Sequence, residues 1–258
     1  MAVRGGDGPW FLVNASPDVR QQLEGLTDLD IDGVRAPPIA GVLLTDAEID
    51  HTAGLLILRE SATPILVYGD AGVERALRRG YPVLAILERY SGAQWRTLAP
   101  GQVIELEGSS LTVEAFDVGG DAPRYLDGSG LEVGASALVF RDRTGPGVMT
   151  YAPGLARLDE AVLSRFAGSD LVLVDGTFWG NDDLARLGIS TRSARDMGHL
   201  PLSGPGGTLE VLARLERPRT ALVHINNTNP ILLEDSPERD AVIRAGVEIA
   251  YDGLEVEL

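Results

Sequence analysis

The 258-residue chain contains no cysteine, no lysine and only three histidines: His51, His199 and His224. Without cysteine it has no disulfide framework, no Cys-ligated zinc and no thiol nucleophile. Without lysine every basic side chain is arginine, and the 22 basic residues face 38 acidic ones, a net charge of −16. That balance speaks against a nucleic-acid partner, which needs a basic footprint, and against docking on an anionic membrane. No apolar run approaches the roughly 20 residues of a membrane helix. The first residues lack the apolar stretch of a secretory signal, so a cytoplasmic location is expected. What the chain does have is apolar mass: at 44% hydrophobic it can bury a full core without staples. With no repeat and no linker-like stretch, one domain over residues 1–258 is the expectation.

Short apolar runs predict strands at residues 10–14, 41–44, 65–68, 102–106, 111–115, 137–140, 148–151, 171–175, 220–224 and 247–250. Helices are expected from near Asp18, with Val19 and Leu23 on one face. Others are expected through Leu55, Leu56 and Leu58, and over 73–77, 83–90, 155–166, 207–215 and 237–245. Strand-rich middle and βα-alternating ends suggest two sheets with outer helices, an α/β (α+β) class.

Three of these strands run into polar clusters. Residues 45–51 read T-D-A-E-I-D-H, residues 175–179 D-G-T-F-W, and residues 224–230 H-I-N-N-T-N-P. A fourth cluster, D-M-G-H-L-P at 196–201, lies in a loop. Strand ends on one side of an α/β sheet are where sites are built. Alternating carboxylates closed by a histidine can converge on one cation, and oxygen with imidazole suits iron, manganese or zinc. The plain alternatives stand beside this: a solvated acidic turn, a hydrogen-bonded core histidine, a capping Asp175 and a loop-packing His199. All three histidines nonetheless fall in these clusters.

Residues 45–54 resemble the T-H-x-H-x-D-H-x-x-G signature of the metallo-β-lactamase superfamily. Further strings narrow the resemblance: N-A-S-P-D-V-R-Q-Q at 14–22, G-L-L-I-L-R-E at 54–60, Y-A-P-G at 151–154, D-G-T-F-W at 175–179, M-G-H-L-P-L-S-G at 197–204 and H-I-N-N-T-N-P-I at 224–231. Together they are similar to the pyrroloquinoline quinone (PQQ) biosynthesis protein B family, from about residue 10 to the C-terminus. The resemblance implies a four-layer αββα metallo-β-lactamase sandwich. The family normally begins with further strands and a Cys-rich segment before N-A-S-P-D; this chain is expected to lack them.

Carried over by position, the H-x-H ligands of the superfamily's first metal are Asp46 and Glu48 here. The third ligand has no histidine candidate, and the bridging carboxylate has no counterpart in Y-A-P-G. The second metal's ligands persist as Asp50, His51 and His224, with Glu48 as a fourth candidate and Asp46 behind them. Two imidazoles and one carboxylate are the ligand types of the non-heme Fe(II) facial triad. The resemblance implies an Fe(II)- and O2-dependent hydroxylase acting on the tyrosine ring of a Glu–Tyr cross-linked, peptide-derived precursor. His199 and Asp175 match positions that handle protons in related nucleases. Asn226 and Asn227 are candidates to hold substrate polar groups or to cap the next helix, and Asn229, before Pro230, is expected to be structural. Zinc is the alternative metal. A non-catalytic carrier of PQQ or its precursor and a mononuclear zinc hydrolase are the alternative functions, and a homodimer is compatible with either.

Overall fold

Short apolar runs bounded by Gly, Pro or Asp become the strands of two sheets. The computed structural model describes residues 1–26 and 39–258. The chain divides into two compact units: residues 1–115, 122–134 and 142–144 form the first, and residues 116–121, 135–141 and 145–258 the second.

The first unit runs β1 (Ala2–Val3), β2 (Phe11–Val13), α1 (Val19–Glu24), β3 (Gly41–Leu43), α2 (Ile49–Thr52), a 3-10 helix (Ala53–Glu60), β4 (Ile65–Gly69), α3 (Ala71–Arg79), α4 (Val83–Leu87), β5 (Ala93–Thr97) and β6 (Val103–Glu105). It also holds the first residues of β7 (Leu111–Gly119). Its sheet has the order β1-β2-β3-β4-β5, antiparallel at β1–β2 and parallel thereafter. Phe11, Leu12, Val13, Val42 and Leu43 are all buried, as strands covered on both faces require. Val19, Leu55, Val73 and Leu77 pack from the helices onto Leu12, Val42 and Val67 to form the core.

The second unit continues with β8 (Ala135–Asp142), β9 (Val148–Ala152), α5 (Glu160–Ala167), β10 (Leu171–Asp175), α6 (Asp183–Arg186), α7 (Leu209–Leu212), β11 (Arg219–Val223), α8 (Pro237–Arg244) and β12 (Glu248–Ile249). The second sheet has the order β12-β11-β10-β9-β8-β7-β6. From β9 to β12 the pairing is parallel. Val139, Phe166, Val172, Val174 and Leu222 make this unit's core. Among the described residues no helix is long and apolar enough to cross a membrane.

Several expectations are corrected. The helix through Leu55, Leu56 and Leu58 is a 3-10 helix after the single turn of α2. The Gly54 N–H is taken by the Ala15 carbonyl at 2.8 Å instead of continuing the α-ladder. The helix expected over 155–166 begins only at Glu160, where the Asp159 carboxylate accepts from the Val162 N–H and caps it. The helix expected over 207–215 shrinks to one turn. Strands β1 and β5, at the two edges of the first sheet, are additional. In β5 the sequence A-Q-W-R-T has no apolar run and stays partly exposed. Two strands, β1 and β2, precede Asn14.

At Gly54 the 3-10 helix runs close against the backbone just past β2. A Cβ there would lie 2.2 Å from the Ser16 carbonyl oxygen and 2.7 Å from that of Ala15. Both are backbone atoms and cannot step aside. Gly54→Ala is therefore expected to destabilise the protein by about 3 kcal/mol, at the upper end for overpacking, read as a lowered midpoint in urea unfolding.

Candidate functional site

Parallel pairing sets the first cluster. Val13 of β2 lies opposite Leu43 of β3, so the two strands end side by side and release N-A-S and L-T-D-A-E at the same edge. His51 sits on the one turn of α2, and its carbonyl accepts the Ala15 N–H at 2.7 Å. The His51 Nδ1 is 2.8 Å from both carboxylate oxygens of Asp46. An acceptor-only carboxylate there requires Nδ1–H. In the neutral ring the lone pair is then on Nε2, the arrangement a metal-binding histidine uses. Asp46 also accepts from the Glu48 N–H at 2.9 Å and the Thr45 hydroxyl at 2.8 Å.

Asp46 and His51 are both buried, 7% and 8% exposed, so their charges act on each other with little screening. Burial pushes the Asp46 carboxyl upward, but the His51 charge and hydrogen bond, with those from Glu48 and Thr45, bring it down to about 2. For His51, burial lowers the ring's pKa. The Asp46 charge and hydrogen bond, joined by Asp50 and Glu48, outweigh that and raise it to about 9. Tyr125, which nothing in the sequence marks, donates to the Ala47 carbonyl at 2.7 Å. Burial, then the Glu48 and Asp46 charges, push its hydroxyl up to about 12.

The second cluster lies at the ends of β10 and β11, where Asp175 pairs with Val223 and His224 is the next residue. Asp175 is 1% exposed. Its carboxylate accepts from the Leu155 N–H, the Thr177 N–H, the Thr177 hydroxyl and the His199 Nδ1, the last at 2.7 Å. Thr177 Oγ1 stands 2.5 Å from Asp175 Oδ1, 2.8 Å from His224 Nδ1 and 2.9 Å from the His224 carbonyl. One hydroxyl proton serves one acceptor best, and the nearby carboxylate is the strongest. The hydroxyl oxygen then accepts Nδ1–H from His224, again placing the neutral ring's lone pair on Nε2. The His199 and His224 rings stack at 5.5 Å and 20°, with Phe178 edge-on to His199 at 5.8 Å. His224 has φ 55°, the left-handed region that few non-glycine residues occupy.

The expected residues thus fall into two groups. Asp46, Glu48, Asp50 and His51 belong to the first unit; Asp175, His199, His224, Asn226 and Asn227 belong to the second. Glu48 and Asp50 are exposed. Asp175, His199 and His224 present ligand atoms within 4.8 Å of one another, but Asp175 is already engaged by its donors and serves to hold His199. Asn226 accepts from the Thr228 N–H at 3.3 Å in a turn, and Asn227 is exposed. Asn229 caps the turn at Pro230–Leu232 and donates to the Gly176 carbonyl at 2.8 Å. Thr177 lies inside the D-G-T-F-W string, but nothing in a lone threonine announces three partners.

The pKa shifts fix a pH dependence for the metal-free protein. Folded His51 keeps its proton up to about 9, whereas the unfolded ring loses it above about 6.5. Its stabilisation is complete below that value and fades as pH rises through 9. Asp46 contributes above its unfolded value and loses its contribution as pH falls through about 2. Urea midpoints of wild type should therefore drop between pH 7 and 10, and Asp46→Asn should flatten that drop. If His224 holds a metal through Nε2, Thr177→Val should weaken zinc affinity by about 10- to 100-fold, the usual range for groups that orient a ligand. Thr177→Ser should retain the affinity, both read by chelator competition.

The model of the Beta-lactamase superfamily domain matches residues 9–225. Coenzyme PQQ synthesis protein B of Cupriavidus necator is 44% identical over 98% of this chain and 85% of its own length. That of Methylococcus capsulatus is 40% identical over 100% and 86%. The structure of Zn(2+)-bound PqqB from Methylobacterium extorquens superposes with a TM-score of 0.88 at 35% identity, covering 100% of this chain and 86% of that one. The metallo-β-lactamase fold protein YhfI from Bacillus subtilis gives 0.67 at 16% identity, covering 98% and 89%, a likeness of fold alone. The chain carries the metallo-β-lactamase fold and belongs to the coenzyme PQQ synthesis protein B family.

Proposed function

We propose that the protein is an Fe(II)- and O2-dependent hydroxylase of PQQ biosynthesis, acting on the tyrosine ring of a Glu–Tyr cross-linked, peptide-derived precursor. The observation that carries this reading is the shared state of His51 and His224. Each commits Nδ1–H to a neighbouring oxygen, Asp46 for one and Thr177 for the other, which suits Nε2 to a metal. By family position, Asp50 supplies the carboxylate and Glu48 a fourth ligand. Asp46 in place of the first histidine of H-x-H is engaged with His51, which fits one metal rather than two. Bound iron would activate O2.

The chain's own groups supply orientation and proton handling. Asp175 fixes the His199 ring through Nδ1–H, so in its neutral form His199 can accept a proton at Nε2. Stacking on His224 keeps that base beside a proposed ligand ring. A second reading, a mononuclear zinc hydrolase, is favoured by the Zn(2+) in the Methylobacterium extorquens relative.

Anaerobic loading with Fe(II), then addition of a tyrosine-bearing precursor, O2 and a two-electron reductant such as ascorbate, should give a product heavier by one oxygen atom, the second oxygen leaving as water. His51→Ala and His224→Ala should lose both metal and turnover. His199→Gln should keep the metal and lower kcat by about 10²–10⁴-fold, the usual weight of a general base. Cleavage of a model phosphodiester by the zinc form without O2 uptake would favour the hydrolase. Tight quinone binding by metal-free protein, with no O2 uptake, would favour a carrier.

A further inference from the structure

Asn14 stands where β2 ends, 8% exposed, with φ 59°. Its N–H donates to the Leu43 carbonyl at 2.8 Å, so the backbone is pinned as it enters the left-handed region. Asparagine is among the few residues that adopt this region readily. A glycine would serve the backbone as well or better, so the conformation alone does not explain an amide side chain.

Both the oxygen and the nitrogen of the amide engage one neighbour. Asn14 Oδ1 accepts the Thr45 N–H at 3.0 Å, and Asn14 Nδ2 donates to the Thr45 hydroxyl oxygen at 2.9 Å. The first contact fixes which way the amide faces, because the flipped amide would set NH2 against N–H. With its oxygen taken as an acceptor, the Thr45 hydroxyl turns its own proton outward. Asp46 Oδ2 receives it at 2.8 Å. The alternative acceptor, Asn14 Oδ1, is farther at 3.2 Å and uncharged, so the carboxylate wins. Asp46 in turn receives Nδ1–H from His51 at 2.8 Å.

We propose that Asn14 is a positioning residue, whose amide directs the Thr45 hydroxyl onto Asp46 and thereby fixes the His51 ring that faces the metal. The inference rests on the reading of His51 as a metal ligand, and it names the residues that hold that ligand. The four groups form a directional chain in which the Thr45 hydroxyl and the His51 ring both donate to Asp46. The carboxylate cannot swing, and the imidazole cannot rotate without breaking its bond to it. Asn14 acts through Thr45, Asp46 and His51 in turn and touches neither metal nor substrate.

Two readouts test the chain in full-length protein. The first is the His51 Nδ1–H proton resonance in metal-free, histidine-15N-labelled protein. Losing the Thr45 donor leaves more of the Asp46 electron density to His51, so Thr45→Val should move that resonance downfield. Asn14→Asp should do the same. It keeps an acceptor for the Thr45 N–H but draws the hydroxyl proton to itself. Thr45→Ser, which keeps the hydroxyl, should leave the resonance at its wild-type position. The second readout is zinc affinity by chelator competition, which Thr45→Val should weaken by about 10- to 100-fold and Thr45→Ser should preserve. An unmoved resonance in either Thr45→Val or Asn14→Asp overturns the proposal, as does a Thr45→Ser variant that behaves like Thr45→Val. If wild type takes up no divalent metal, the oxygenase reading falls, and the resonance alone decides the role of Asn14.

Discussion

Everything at the candidate site depends on what each imidazole does with its Nδ1 proton. His51 gives it to Asp46, His199 to Asp175 and His224 to the Thr177 hydroxyl. An imidazole offers two nitrogens and one neutral lone pair, so a partner for one nitrogen decides the chemistry of the other. Two of these partners are carboxylates and one is a hydroxyl, and the consequences differ. A carboxylate beside a ring stabilises its protonated form, as it does for His51. A hydroxyl fixes the tautomer without adding charge. If His51 is a metal ligand as proposed, proton and metal compete at this ring, because a ligand must shed its proton to bind.

Sheet geometry makes these partnerships possible. In a parallel pair, residues that leave neighbouring strands at the same level emerge next to each other. Val13 against Leu43, and Asp175 against Val223, are such levels. The first brings Asn14 to Thr45 and the second brings Thr177 to His224. Each unit repeats one device: a threonine hydroxyl just past a strand end, lying between an acidic group and a second polar partner. Apolar cores beneath both sheets hold the strand ends in place, so distances of 2.5–2.9 Å between polar atoms are set by buried valines and leucines well away from the chemistry.

The sequence is most legible where hydrophobic burial dictates pattern. The apolar run at 171–175 matches β10 to its end residues, and the spacing of Val19 and Leu23 marks the buried face of α1. It is least legible where backbone hydrogen bonds are diverted to distant partners. The loss of the Gly54 N–H to Ala15 converts an expected helix to a 3-10 segment. A remote strand end causes this, and no local window contains it. Edge strands β1 and β5 escape for a related reason, since half-exposed strands need no apolar run. At the site, residue types that carry charge or imidazole stand out in the sequence. The neutral groups that orient them, Thr45, Thr177 and Asn14, do not, because their value lies entirely in direction.

The left-handed backbone at His224 sets a limit on how the protein could be improved. A residue with a Cβ held at φ 55° costs of order 1–3 kcal/mol relative to a relaxed conformation, and glycine would relieve most of it. Selection for heat resistance alone would thus favour discarding an imidazole in the heart of the second cluster. If His224 holds a metal as proposed, thermostability gained at this position would remove a ligand, and a search for hardier variants would have to hold it fixed.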